Sequence, residues 1–309
     1  MRLENINFST DSGVGGFPAT TGATWTIGAL TAQTSGVPLT VLTGYGRNKL
    51  GNLPEFLPGL YTMNSILADN GYFQSFMCGS DAAYGGRDKY FVQHGVDRIY
   101  DLFTAYEDGI VPQDYYVWWG YEDHYLYDYA KAELSEISQQ EEPFAFFLLT
   151  VDTHRKEGYL CELCGDEYEE QYENVLDHAD KMIAEFMDWL SQQDFYENTT
   201  VIIAGDHLCM EMPYFDKIPN DSDRRVYNTF INSVVTTENT KNREFVTMDM
   251  FPTVLAAMGA EIEGDRLGLG TNLFSDLPTL RETYGTDKFN LMLMGGRRYY
   301  TKNFYQIDN

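Results

Sequence analysis

The stretch TTVIIAGDH, residues 199–207, decides the predicted fold of this chain. Its apolar run VIIA stands between polar neighbours, which is the pattern of a short strand buried on both faces, as in a parallel sheet. The run stops at Gly205, and Asp206 and His207 follow at once. Ligands of open α/β sheets bind just beyond the carboxyl ends of the strands. A carboxylate beside an imidazole suits a divalent cation there, although the pair alone is also compatible with a turn that merely ends the strand.

Two further apolar runs have the length of strands, and polar residues follow each of them. Residues 144–151 read FAFFLLTV and lead into Asp-Thr-His at 152–154, and residues 72–77 lead toward Asp81. Strands and helices alternate up to about residue 260. The sequence therefore predicts an α/β fold with a mostly parallel central sheet flanked by helices.

The remaining patterns complete this division of the chain. Helices are predicted at residues 24–36, 61–70, 122–139, 167–193 and 247–258, and a further strand at 226–235. The tail at 290–306, with a Gly-Gly pair between two short segments, predicts a β-hairpin or two edge strands. We therefore expect a main α/β domain over residues 1–262 and a small antiparallel C-terminal subdomain over residues 263–309.

The charge of the chain restricts the partners that it can bind. Of its 309 residues, 21 are Lys or Arg and 47 are Asp or Glu, which gives a net charge of -26. So acidic a surface argues against nucleic acid or an anionic membrane as a non-specific partner. The longest apolar run, residues 144–149, is too short to span a bilayer, and the first residues, MRLEN, lack the pattern of a signal peptide. The abrupt start is expected of a domain excised from a longer protein.

Two side chains suit the binding of a phosphate, each with a more ordinary alternative. Thr24 or Thr26 is predicted to stand at the N-terminus of the first helix, where N–H groups and the macrodipole stabilise an anion. A threonine there is commonly an N-cap, but it is a nucleophile toward phosphorus if a metal lowers its pKa. Arg87 follows two glycines and can clamp a phosphate bidentately, with a surface ion pair as the alternative.

The cysteines do not form a familiar zinc pattern. Cys161 and Cys164 make a CxxC in an acidic loop, whereas Cys78 and Cys209 are isolated. A four-cysteine zinc site needs a second close pair, which is absent, so the pattern favours a local disulfide or free thiols over zinc. The histidines outside the strand ends are interpreted as structural or surface groups: His94, His124 and His178.

Four segments, in one order, resemble a known family: residues 24–38, 149–154, 204–207 and 249–255. They are similar to the sulfatase-like extracellular domain of the phosphoglycerol transferase I and lipoteichoic acid synthase family, within the alkaline phosphatase superfamily. The Trp-Thr-Ile stretch and LGLG near residue 269 resemble the phosphoglycerol transferase I branch more closely. An ordinary sulfatase activity is disfavoured, because the sequence TIGAL lacks the Cys or Ser, and the following Pro and Arg, that formylglycine formation requires.

The resemblance implies a metal-dependent transfer reaction. Thr26 matches the family's nucleophile and metal ligand, and Asp206 and His207 match two further ligands, for manganese or, alternatively, magnesium or zinc. His154 matches a histidine that contacts the phosphoryl group or assists the leaving group. Arg87 and Asp81 lie where the family holds the glycerophosphate.

The implied substrates are a glycerophospholipid head group of the phosphatidylglycerol type and a polyol or glycan acceptor. The expected place of action is the extracellular or periplasmic face of a bacterial membrane, to which a parent protein is anchored through segments absent from this chain. Alternatives are a phosphoethanolamine transferase, a phosphodiester hydrolase of the same superfamily, or a catalytically silent remnant that binds a polyol or glycan.

One expected part of the family pattern is not found in the sequence. The family's first core strand, which ends in a metal-binding glutamate, has no counterpart before Thr26. We therefore expect weak metal binding and two sheet edges without a partner strand. Residues 1–20, another chain or a rearranged tail would have to cover these edges.

Overall fold

The computed structural model describes residues 5–13, 15–154, 156–217 and 224–307, and every statement about the fold concerns these residues. The strands are β1 (Gly16–Phe17), β2 (Phe73–Cys78), β3 (Arg98–Tyr100), β4 (Phe144–Leu149), β5 (Val201–Ala204), β6 (Val226–Ile231), β7 (Arg266–Leu267) and β8 (Gly270–Thr271). The α-helices are α1 (Thr26–Ser35), α2 (Met63–Asp69), α3 (Arg87–Gln93), α4 (Leu102–Glu107), α5 (Asp123–Ile137), α6 (Gln171–Leu190), α7 (Met212–Phe215), α8 (Met250–Ala257), α9 (Leu280–Tyr284), α10 (Thr286–Leu293) and α11 (Arg297–Asn303).

A parallel sheet of order β3-β2-β4 confirms the predicted α/β fold. β2 and β4 pair in parallel from Phe73 opposite Phe144 to Cys78 opposite Leu149. Their carboxyl ends therefore lie at one edge, and the polar segments that follow both strands emerge together. Helix α1 also forms as predicted, and it ends at Gly36, whose φ of 67° is the left-handed conformation of a helix C-cap.

The second sheet, of order β1-β6-β5, is antiparallel, and this corrects the prediction for the VIIA run. β5 pairs only with β6 among the described strands, from Val201 opposite Ile231 to Ala204 opposite Asn228. All four residues of β5 are half-buried. The prediction of a parallel strand buried on both faces is wrong, because the hydropathy of a strand does not report the direction of its neighbour or the presence of a second one.

β4 has the same unexpected exposure. Its sequence FAFFLL is entirely apolar, yet all six residues are only half-buried, whereas the more polar β2 is buried from Gln74 to Cys78. β4 is an edge strand, since it pairs with β2 and with no other described strand. The two uncovered sheet edges that we expected are therefore found at β4 and β5.

The same helices cover both of these edge strands. Leu190 of α6 belongs to a hydrophobic cluster that includes Phe144 of β4 and Val201 of β5. On the other side, Val254 of α8 packs in the cluster that contains Phe147 and in the cluster that contains Ile202. The free edges of β4 and β5 thus lie between two common covering layers. We call this space the β4–β5 gap.

The N-terminal segment does not fill the β4–β5 gap. Ile6 forms a bridge with Phe230, and Gly16 and Phe17 pair with Tyr227 and Val226 on β6. The described part of residues 1–20 therefore covers the outer edge of β6. It does not lie beside β4 or β5.

The C-terminal tail is helical where a hairpin was predicted. Residues 290–306 contain the end of α10 and all of α11, so the hairpin prediction for this segment is wrong, and the antiparallel pair lies earlier, in β7 and β8. The Gly-Gly pair separates two helices, and Gly296, with a φ of 69°, begins α11. Tyr300 and Tyr305 lie in the same hydrophobic cluster as Ile27, so the tail shares a core with the main domain. No helix of the described residues is long and apolar enough to span a bilayer.

Candidate functional site

The segment that follows β4 is held by two buried aspartates that bond to each other's main chain. Asp123, at the start of α5, accepts hydrogen bonds from the N–H groups of Val151 (2.8 and 3.0 Å) and Asp152 (2.8 Å). The side chain of Asp152 in turn accepts one from the N–H of Asp123 (3.1 Å). Burial and the nearby Asp123 charge raise the pKa of Asp152 to about 8. Burial also raises the pKa of Asp123, to about 6, but its hydrogen bonds from two N–H groups favour the charged form, so Asp123 is the member of the pair that is ionised at neutral pH.

His154 lies in the segment that these two aspartates hold, and its ring packs among aromatic side chains. Its ring lies 5.9 Å from that of Trp118 and 5.2 Å from that of Trp119, edge to face in both cases. Trp119 in turn lies 5.5 Å from the ring of Tyr84. The indole rings therefore fix the imidazole of His154 and connect it to the turn that contains Arg87.

Arg87 is buried, and its guanidinium closes the turn after β2. Nε donates to the carbonyl of Tyr84 (3.1 Å), and Nη2 donates to Ser80 Oγ (3.0 Å) and to the carbonyl of Asp81 (2.6 Å). The alternative of a surface ion pair is wrong, because no described carboxylate pairs with this guanidinium. Asp81 is half-buried and accepts a hydrogen bond from the N–H of Ala83 (2.8 Å). Arg87 and Asp81 thus lie together, with two of the guanidinium nitrogens already occupied within the turn.

Thr26 is the first residue of α1, and neither threonine caps this helix. The N-cap is Trp25, in an extended conformation (φ -155°, ψ 157°), with no side-chain hydrogen bond to the first turn. The alternative that one of these threonines serves as the N-cap is therefore wrong. Thr26 is half-buried, and its hydroxyl makes no hydrogen bond with any described residue. The next residue, Ile27, packs against Gly85, which places the start of α1 beside the Arg87 turn.

Asp206 and His207 are in direct contact after β5. His207 Nδ1 lies 2.8 Å from the carbonyl of Leu208, so this nitrogen carries the proton and donates it. In the neutral form of the ring Nε2 carries the lone pair, and this atom faces Asp206 Oδ2 at 3.4 Å. The His207 side chain is 8% exposed and that of Asp206 is 29% exposed. Two acceptor atoms that face each other in a partly buried place repel unless a proton or a cation lies between them.

Hydrogen bonds connect this pair to the other segments. Gln33 of α1 donates to the carbonyl of Gly205 (2.9 Å), directly before Asp206. Tyr172 of α6 donates to the carbonyl of Thr153 (3.1 Å) and lies 2.8 Å from Cys209 Sγ. The three segments that carry the predicted residues are therefore joined into one region. The approach of Thr26 to the Asp206–His207 pair remains a prediction.

A cleft of about 570 Å³ opens beside Trp25, and it contains two arginines that the sequence analysis missed. Arg47 lies over the Trp25 ring at 5.0 Å, and Arg297 donates to the carbonyl of Val41 (3.1 Å). The cleft is not lined by Asp206 or by the other predicted site residues. These arginines are 250 residues apart, and no local pattern joins them.

Comparison with known proteins identifies the group to which this fold belongs. The sulfatase family model matches residues 20–260 of the chain. The chain belongs to the sulfatase family. The prediction of a sulfatase-like enzyme domain is thereby confirmed, and proteins of this family generally use divalent metal ions.

Curated relatives of this sulfatase-family chain are phosphoglycerol transferases I. That of Xanthomonas axonopodis pv. citri (strain 306) is 29% identical over 267 residues, which are 84% of this chain and 37% of the relative. That of Escherichia coli (strain 55989 / EAEC) is 27% identical over 263 residues, 82% of this chain and 33% of the relative. The chain thus spans about a third of the length of these relatives.

Solved structures share the fold. The lipoteichoic acid synthase LtaP from Listeria monocytogenes has a TM-score of 0.65 at 19% identity, covering 88% of this chain and 67% of that one. A protein in the alkaline phosphatase superfamily from Vibrio parahaemolyticus has a TM-score of 0.61 at 20% identity, covering 87% and 62%. The Streptococcus pyogenes phosphoglycerol transferase GacH, in complex with sn-glycerol-1-phosphate, has a TM-score of 0.52 at 14% identity, covering 97% and 81%. These likenesses confirm the predicted fold class.

Proposed function

We propose that this sulfatase-family domain transfers a phosphoglycerol group from a phosphatidylglycerol-type lipid to a polyol or glycan acceptor. Its curated relatives are phosphoglycerol transferases I, and one structural neighbour is a phosphoglycerol transferase in complex with sn-glycerol-1-phosphate. Since the donor is a membrane lipid, the reaction belongs at a membrane surface, on the extracellular or periplasmic side.

The observation that carries the proposal is the pair of facing acceptors in Asp206 and His207. A divalent ion bonded to both atoms at about 2.1 Å would separate them by about 3.0–3.4 Å, for angles between those of an octahedron and a tetrahedron. The distance from His207 Nε2 to Asp206 Oδ2 is 3.4 Å. The hydrogen bond from Nδ1 to a backbone carbonyl is the usual support of a metal-ligating histidine. The donor set therefore fits a hard or borderline ion, of which manganese is our choice over magnesium or zinc.

Such a cation, when bound, lowers the pKa of a coordinated hydroxyl and neutralises phosphoryl charge. Thr26 is the hydroxyl that we assign to this role, because it stands at a helix start without a side-chain cap and makes no hydrogen bond within the described part of the chain. In the first step, Thr26 Oγ1 gives up its proton and bonds to phosphorus while the bond to the diacylglycerol oxygen breaks, and that oxygen takes up a proton. In the second step, an acceptor hydroxyl bonds to phosphorus, and Thr26 Oγ1 leaves and regains a proton.

Other residues of the region bind and orient the substrate. His154, fixed between two indole rings, is placed to contact the phosphoryl group or to give the leaving oxygen its proton. Arg87 and Asp81 are proposed to hold the glycerophosphate, with Arg87 also closing its turn. Arg47 and Arg297 border the cleft beside Trp25 and supply positive charge, which a chain of net charge -26 needs to admit an anionic lipid.

The matched pair Thr26→Ala and Thr24→Ala tests the proposal. With manganese present, Thr26→Ala should lose turnover of a glycerophospholipid analogue and the mass increase of a phosphoglycerol adduct. Thr24→Ala should keep both, since Thr24 caps nothing and is not the first helical residue. If Thr26→Ala turns over as fast as the parent protein, the covalent mechanism is refuted. Release of free glycerophosphate with no transfer to an added polyol would indicate the hydrolase alternative.

A further inference from the structure

The loop between β4 and α6 brings together three side chains that the sequence analysis kept apart. Cys161 Sγ and Cys164 Sγ lie 3.2 Å from each other, and a ring nitrogen of His178 on α6 completes a group whose ligand atoms all lie within 4.8 Å of one another. Cys161 is buried, and Cys164 and His178 are half-buried. The two cysteines are free thiols and form no disulfide. Two sulfurs and an imidazole at this spacing are ligands of a soft or borderline metal ion.

His178 has a polar atom that the protein leaves without a partner. Its Nε2 is shielded from solvent and makes no hydrogen bond with any described residue. An orphaned, buried ring nitrogen is costly and calls for an explanation, such as a bound ion. Burial lowers the pKa of His178, and so does the neighbouring His124, which favours the neutral form of the imidazole.

The protein holds this loop in place on the first turns of α6. The side chain of Asn174 accepts from the N–H of Tyr168 (2.9 Å) and donates to its carbonyl (2.8 Å). Gln171 donates to the carbonyls of Glu157 (3.2 Å) and Gly158 (3.3 Å). His178 lies four residues after Asn174 and seven after Gln171, on the same face of the helix. The ligands are therefore positioned by contacts that do not depend on a metal.

We infer that Cys161, Cys164 and His178 form a zinc site, separate from the Asp206–His207 pair. A tetrahedral zinc ion with bonds of about 2.3 Å separates two sulfurs by about 3.8 Å, so the thiols need only move about 0.6 Å apart. A disulfide would require them to close to about 2.0 Å. The fourth position remains for water or another donor, and His124, which acts on the pKa of His178, is a near candidate.

This zinc site would act on the proposed active region through aromatic contacts. Tyr159, two residues before Cys161, stacks on Trp118 with ring centres 6.0 Å apart, and Trp118 contacts the ring of His154. An ion that ties the loop to α6 would thus fix the aromatic wall around His154. The role is structural, because none of the three ligands contacts the residues assigned to the reaction.

Cobalt substitution tests the inference directly, because only a thiolate site gives a sulfur-to-cobalt charge-transfer band. Adding Co²⁺ to the reduced, metal-free protein should produce this band together with the visible bands of tetrahedral cobalt, and one equivalent of Zn²⁺ should remove both. The proposed catalytic pair of Asp206 and His207 contains no sulfur and cannot give this signal. Absence of the band in the reduced parent protein refutes the inference, and this measurement needs no variant.

Variants assign the ligands. Cys164→Ser and His178→Gln should each weaken zinc binding about 100-fold or more, measured by competition with a chromophoric chelator. Cys209→Ser removes a thiol outside the group and should leave both the cobalt band and the zinc affinity unchanged. Far-ultraviolet circular dichroism checks that α6 persists in each variant. If Cys164→Ser retains the full band, or if Cys209→Ser loses it, the assignment is wrong.

Discussion

The buried pair of Asp123 and Asp152 gives this fold a dependence of stability on pH that one substitution isolates. Asp123 is ionised at neutral pH, because main-chain N–H groups partly offset the burial that raises its pKa to about 6, whereas Asp152, buried and close to that charge, has a pKa raised to about 8. Asp152 is therefore protonated in the folded protein at neutral pH. Asparagine has the shape of protonated aspartate but does not titrate. Asp152→Asn should thus retain the hydrogen bond from the N–H of Asp123 and remove the proton equilibrium.

The sign and size of the effect follow from the folded and unfolded pKa values of this group. Asp152 titrates at about 3.9 in an unfolded chain and at about 8 in the folded protein. Between those values the folded protein binds one proton more, so its free energy of unfolding falls by about 1.4 kcal/mol for each unit of rising pH. From pH 5.5 to 7.5 the loss is about 2.7 kcal/mol in the parent protein. Asp249, whose pKa burial raises to about 7, titrates in both proteins and cancels from the comparison. Asp123, whose pKa burial raises to about 6, also titrates within this range, and it cancels as well because its neighbour is uncharged in both proteins, as protonated Asp152 or as asparagine.

Urea unfolding, followed by tryptophan fluorescence at pH 5.5, 6.5 and 7.5, measures this difference. We expect the stability of Asp152→Asn relative to the parent to increase by about 2.7 kcal/mol across the range. Asp188→Asn, which changes an exposed carboxylate on α6, is the control and should follow the parent at each pH. Parallel pH profiles for the parent and Asp152→Asn would show that Asp152 does not hold the proton, and would contradict a raised pKa for this group in the folded protein.

Three further predictions concern the end of α1, the ion pair between Arg243 and Glu282, and the proposed zinc site. Gly36→Ala should lower the free energy of unfolding by at least about 2 kcal/mol, because its Cβ would lie 2.5 Å from the carbonyl oxygen of Leu267 at a positive φ. Gly71→Ala, also at a positive φ but in open space, is the control and should lower it by only about 1 kcal/mol in the same urea assay. Arg243→Met removes the ion-pair partner of Glu282 (2.8 Å) and should lower the free energy of unfolding by about 3 kcal/mol. This is the lower end of the range for a buried pair, because the Glu282 side chain is 23% exposed. A loss under 1 kcal/mol in urea unfolding would contradict the prediction. Zinc at about 100 times its dissociation constant should stabilise the reduced protein by about 2.7 kcal/mol, seen as a rise in melting temperature that a chelator reverses.

The sequence was sufficient to predict those helices and strands whose pattern lies within their own residues. The apolar run of β4, the Gly36 stop of α1 and the one-sided apolar pattern of α6 depend on neighbours within a few residues, and all three form where predicted. The direction of β5 was not predictable, because a strand of four apolar residues is equally suitable for a parallel or an antiparallel partner. The prediction of a hairpin in the tail was wrong for a similar reason, since a Gly-Gly pair separates helices as readily as strands.

The candidate site was only partly predictable. Asp206 and His207 are adjacent in the chain, so their contact is local and the pair is visible in the sequence, while their role as metal ligands stays a prediction. The zinc group was missed because we looked for a second cysteine pair, whereas the third ligand, His178, comes from a helix on which the loop folds back. Asp123 was missed because its partner segment lies 28 residues away, and no motif joins a helix start to the end of a distant strand.

The β4–β5 gap also has a consequence for how molecules of this protein behave toward one another. Each of its two strands offers a row of unpaired N–H and C=O groups flanked by half-exposed apolar side chains, which is a template for pairing with a strand of another molecule. The net charge of -26 opposes such encounters by mutual repulsion. This repulsion acts over a Debye length of about 10 Å at 0.1 M salt, but only about 3 Å at 1 M. The repulsion between like-charged molecules therefore keeps this chain in solution as separate molecules. In concentrated salt, which screens that repulsion, the chain should self-associate.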